Sequence, residues 1–159
     1  MRTWIILILC WYFQDLAQLV MTQTFLAPEI FIMAVIWHAT GADQNSPLKC
    51  LCAAIAGGLL MDFRWTGVPG LNGALYALAV LAARMLWFRI PEDSRHMLPY
   101  VFINAILCAV LTFARLLFWN VDVLAGRLFV VLGAQWLLTA LFLILFGLSK
   151  APSYEDRQI

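Results

Sequence analysis

The side chains able to do chemistry in this sequence are few, and almost all are set in apolar runs. Gln14, Asp15 and Gln18 interrupt the first run, and Glu29 follows Pro28 at the opening of the second. Asp62 closes the third, and Asn72, Asn104, Arg115 and Gln135 fall inside later ones. An unpaired charge at bilayer depth costs at least about 2.5–3.5 kcal/mol on insertion scales. Asp15 and Arg115 are both placed in the outer half of the membrane by the helix assignment below. They are therefore expected to pair, in an outer polar cluster with Glu29 as a further member. The sharper alternative is a proton or ion pathway through Asp15 or Glu29. Transport sites, however, are usually built on helices broken near the midplane, and no mid-helix Gly/Pro break is visible.

Other chemistries find little support. No nucleophile–base pair, GxSxG elbow, phosphate loop or HExxH stands in the chain, and Asp15, Glu29 and Asp62 do not form an obvious acid/base set. His38 and His96 lack a second ligand type at metal spacing and read as interfacial residues. Cys10, Cys50, Cys52 and Cys108 lie in apolar runs, and the Cys50–Cys52 spacing is neither a redox nor a zinc motif. No enzyme activity, metal or cofactor is expected.

The elements that must position these residues follow from composition. The 159 residues are 64% hydrophobic and 12% charged, against about 25% charged in a soluble domain. So few polar side chains cannot cover a water-facing surface, whereas a lipid-facing surface can be apolar. The net charge of +1 gives no basic surface for nucleic acid. A spanning helix takes about 20 residues, so the length admits about six spans. Helices are expected over about 4–21, 28–40, 48–63, 71–88, 98–119 and 124–148, the second and third being short. Residues 1–149 form one polytopic transmembrane domain, followed by a polar cytoplasmic tail at 150–159. The first helix reads as uncleaved, since no small-x-small site leads into a polar mature domain.

Six spans put both termini on one side, with Arg2, Lys49, Arg84, Arg89, Arg95, Lys150 and Arg157. Arg64, Arg115 and Arg127 fall on the other. That bias places the termini in the cytoplasm. Trp4, Trp37, Trp65, Trp87 and Trp119 sit near helix ends, as interfacial rings do, while Trp11 and Trp136 are expected to pack between helices. Small residues repeat every four positions: Ala53/Gly57 and Ala54/Gly58, then Gly70/Ala74, Gly73/Ala77 and Ala79/Ala83, with Ala105/Ala109 beyond. Such stripes let helix backbones approach closely in lipid. They predict that the third helix packs on the fourth, with docking of a partner's helix as the other use.

Several of these landmarks occur in one order. Gln14 and Gln18 lie in the first helix, and Pro28-Glu29 opens the second. Gly57-Gly58-Leu59-Leu60-Met61-Asp62 ends the third, and Gly67-Val68-Pro69-Gly70-Leu71-Asn72-Gly73-Ala74-Leu75-Tyr76 opens the fourth. Over about residues 10 to 80 this resembles the rod shape-determining protein MreD family. There a Pro-Asp opens the second helix, so Glu29 is a departure that keeps the charge. The resemblance implies a non-enzymatic part of the bacterial cell-elongation machinery in the cytoplasmic membrane. It implies as partners a bitopic MreC-like protein, the actin-like MreB, and the glycosyltransferase–transpeptidase pair that extends peptidoglycan. Read physically, Gly67 and Gly70 permit a tight reversal. Asp62 and Arg64 are expected at the interface, capping helix ends or bonding loop backbone. The fold expected is an all-α integral membrane protein, a compact bundle of about six helices. That architecture is similar to the substrate-binding S-components of energy-coupling-factor vitamin transporters, which are the alternative reading. Phe25, Trp65 and Trp119 would then line an outward pocket.

Overall fold

The computed structural model describes residues 2–20, 29–40, 47–66, 69–91, 94–95 and 97–118, with positions 137, 140, 141 and 144. Pro28, Gly67, His96, Phe25, Trp119, the turn at 41–46 and the tail at 150–159 lie outside the described residues. So does the expected sixth helix, apart from those four positions, which are helical. The described elements are α1 (Arg2–Val20), α2 (Ile30–Ala39), α3 (Pro47–Met61), α4 (Leu71–Arg89) and α5 (Met97–Phe118). Among the described residues there is no strand. α3 does not stop where its α-helical hydrogen bonding does, because a π-helical turn, Asp62–Thr66, continues it.

Polarity is inverted relative to a water-soluble domain. α1 exposes Ile5, Ile8, Leu9, Tyr12, Phe13 and Leu16, while it buries Gln14 and Asp15. Glu29, Asp62, Asn72, Asn104 and Arg115 are also buried. α2 is apolar around most of its circumference and lies inside the bundle, with Ile30 to Ile36 all buried. A helix without a polar face belongs in an interior. Leu71–Arg89 and Leu98–Arg115 are each long and apolar enough to cross a membrane. The ten residues of α2 rise only about 15 Å, half the hydrocarbon thickness of about 30 Å.

Packing follows the small-residue stripes. A Cβ on Gly58 would lie 2.6 Å from the carbonyl carbon and oxygen of Asn72 and from Cα of Gly73. The backbones of α3 and α4 therefore meet at this point, which only glycine allows. Gly57 faces α2 instead, where a Cβ would lie 2.3 Å from the tip of the Phe31 ring. Trp11 crosses between helices as expected, its indole N–H donating to the Gly57 carbonyl at 3.1 Å.

One end of the bundle gathers the middle of α1 and the start of α2. It also holds the end of α3, the start of α4 and the end of α5. The opposite end is aromatic and basic. Tyr100 there stands edge-on to Trp37 and Trp87, with centroids at 5.6 and 5.9 Å. The Arg84 guanidinium donates to Ala39 O at 2.9 Å, closing the last turn of α2.

Candidate functional site

Two helix N-termini at the polar end are capped by side chains from the preceding helix. The start of α2 is the first. Glu29 occupies its N-cap position, but its carboxylate makes no cap hydrogen bond. Gln14 of α1 does that work: its Oε1 accepts from Phe31 N at 2.9 Å. The Glu29 carboxylate is thereby left to face inward.

The start of α4 is the second. The π turn brings Asp62 inward under the first turn of α4. There the carboxylate accepts from Gly70 N at 2.9 Å, Asn72 N at 3.0 Å and Gly73 N at 3.3 Å. It also accepts from the Asn72 side-chain amide at 2.7 Å. A negative charge here answers both the orphan N–H groups and the positive end of the helix dipole. Gly70 sits at φ +96° with open space where a Cβ would go. Its glycine is required by conformation and not by crowding. The expectation that Asp62 caps a helix is met, and its carboxylate does so from a fully buried position. Asp62→Ala is expected to cost about 2 kcal/mol or more, the upper end for loss of a cap. Asp62→Asn should recover part of that. Thermal melts of purified protein would separate the two.

Between the caps lies the ion pair. Arg115 of α5 donates to Glu29 through Nη1, to Tyr76 Oη through Nη2 at 2.7 Å and to Asn72 Oδ1 through Nε at 2.7 Å. The Tyr76 hydroxyl donates to Glu29 Oε2 at 2.8 Å and also accepts from Gln14 Nε2 at 3.1 Å. Gln14, Glu29, Asp62, Asn72, Tyr76 and Arg115 thus form one buried network that joins α1, the start of α2, the π turn after α3, α4 and α5. The hydroxyl of Tyr76 has used its one proton and both lone pairs, and all three nitrogens of the Arg115 guanidinium are engaged. A network closed in this way ties helices together and leaves no group on Tyr76 or Arg115 aimed at a substrate.

The expected pairing of Asp15 with Arg115 is corrected. Asp15 pairs with Arg64 at 2.9 Å and accepts from the Trp65 indole N–H at 2.9 Å. Asp15 follows Gln14 by about 100° of helix turn, so when Gln14 points at α2 and α4 its neighbour points at the π turn. The Arg64 side chain is 51% exposed, which makes this a rim contact of modest worth. Among the expected site residues, Gln14, Glu29, Asp62, Gly70, Gly73 and Tyr76 are brought together, with Gly57 and Gly58 along α3 below them. Pro28 and Gly67 lie outside the described residues. Asn72 was legible only as a polar residue in a helix, and no spacing rule linked it to both Asp62 and Arg115.

Comparison with protein-family models, with characterised proteins and with solved structures finds no match to this chain. Among the described residues, no three His, Cys, Asp or Glu side chains are grouped to hold a metal ion.

Proposed function

We propose that this chain is a non-enzymatic, polytopic subunit of the bacterial cell-elongation machinery. In this reading it lies in the cytoplasmic membrane with about six spans and both termini in the cytoplasm. It acts by binding a MreC-like bitopic protein and the enzymes that extend peptidoglycan, in the same assembly as actin-like MreB. The observation that carries this reading is the closure of the polar network. Six of the residues through which the chain resembles MreD help to build it: Gln14, Glu29, Asp62, Gly70, Gly73 and Tyr76. A sequence signature devoted to internal ties suits a scaffold whose working surfaces are its lipid-facing sides and short loops. The inverted polarity and two membrane-length helices support the location.

The test is affinity purification of the tagged chain from native bacterial membranes in mild detergent, with mass spectrometry of what co-elutes. Cell-elongation proteins are the expected result. Recovery of a transporter ATPase and coupling subunit, or of a bound vitamin, would overturn the proposal in favour of an S-component.

A further inference from the structure

We propose that the outward face of α4, together with the arginines at its C-terminal end, binds an anionic phospholipid. The acyl chain lies along the helix and the phosphate lies at Arg84, Arg95 and Arg89. The inference rests on the membrane location proposed above but on no partner protein.

Two independent features of the structure meet here. The first is an apolar track. Ala74, Leu78, Leu81, Met85 and Phe88 are all exposed. Their steps of four, three, four and three residues keep them on one side of the helix. The track ends at the Phe88 ring, which is 39% exposed. The second feature is the charge at that end. The Arg84 and Arg95 guanidinium carbons stand 5.1 and 5.3 Å from the centre of the same Phe88 ring. Backbone bonds hold both side chains, Arg84 to Ala39 O and Arg95 through Nε to Ile90 O, each at 2.9 Å. Arg89 is exposed beside them, and Lys49 is exposed near the start of the antiparallel α3.

Charge is segregated between the two ends. Among the described residues the acidic side chains are Asp15, Glu29 and Asp62, all at or beside the opposite, polar end. By chain order the turns at this end also carry Asp43, Glu92 and Asp93. Against these three stand Lys49, Arg84, Arg89 and Arg95, an excess of one positive charge. Guanidinium groups suit phosphate because they present paired donors in a plane. An apolar track leading to fixed guanidiniums matches a phospholipid better than a soluble anion, which has no use for the track.

Native mass spectrometry of the purified full chain, equilibrated with equal amounts of phosphatidylglycerol and phosphatidylcholine, tests this. The wild type is expected to retain phosphatidylglycerol preferentially. Arg84→Gln with Arg95→Gln should remove that preference, by about fivefold for each arginine lost. Arg64→Gln, which removes one positive charge at the other end, should leave it unchanged. Because Arg84 also closes α2, Arg89→Gln with Arg95→Gln is measured in parallel, and the preference should fall there too. Equal retention of the two lipids by the wild type would overturn the proposal, as would a preference that survives both double variants. So would an equal loss in Arg64→Gln. Displacement of the lipid by inorganic phosphate alone would assign the site to a soluble anion instead. The assay contains only protein and lipid, so a negative result leaves the elongation reading standing. Failure of the chain to fractionate with membranes overturns both.

Discussion

Glu29→Ala is expected to be the most damaging single substitution in the bundle. It removes the carboxylate facing Arg115 and leaves a guanidinium at a site that is nearly closed. Breaking a buried pair from one side costs about 3–5 kcal/mol, a large share of a total stability of about 5–15 kcal/mol. The loss should appear as early unfolding in an SDS titration and as low yield in membranes. Most of that cost is the stranded charge and not the missing attraction. Glu29→Gln combined with Arg115→Met should therefore be far more stable than Glu29→Ala, because apolar or neutral replacements of both partners are often tolerated. Glu29→Ala unfolding within about 1 kcal/mol of wild type would show that the Tyr76 and Asn72 oxygens alone compensate Arg115.

Gly58→Ala should come next, and its damage has a different origin. Alanine normally favours a helix over glycine by about 1 kcal/mol, so the intrinsic effect is stabilising. At Gly58 the added methyl meets backbone of Asn72 and Gly73 at 2.6 Å, and backbone cannot rotate away. The helices must separate, at a cost of about 1–3 kcal/mol for overpacking together with strain on the Asp62 cap just above. Gly57→Ala makes a useful contrast, because its methyl meets the end of the Phe31 side chain. Phe31→Leu should rescue Gly57→Ala in a melt, and no single side-chain truncation on α4 should rescue Gly58→Ala. Equal melting points for Gly58→Ala and wild type would mean the contact is looser than the structure has it.

The level of each polar residue along the bundle was legible in the sequence; direction around each helix was not. Hydropathy placed Asp15, Glu29 and Arg115 in one layer, and the four-residue repeats paired α3 with α4 through Gly58 and Gly73. Choosing Glu29 over Asp15 as the partner of Arg115 needs the rotation of α1 about its axis. That rotation is set by Gln14 docking on Phe31 N, a contact between residues of two helices that no local pattern encodes. The π turn was hidden for a similar reason. Its sequence, Asp62 to Thr66, carries no proline or glycine, and the extra width is stabilised by what Asp62 reaches on α4. The short α2 was visible as a weak span. Its place inside the bundle follows from its lack of any polar face.

The joint between α3 and α4 has a mechanical consequence. The two helices are pinned at one end by a carboxylate holding three backbone amides, and they touch backbone to backbone a turn below. Such a pair tilts as a lever and resists bending. A push delivered at the π turn at one end of the bundle would arrive at Arg84 and Phe88 at the other as a displacement of the same rigid arm.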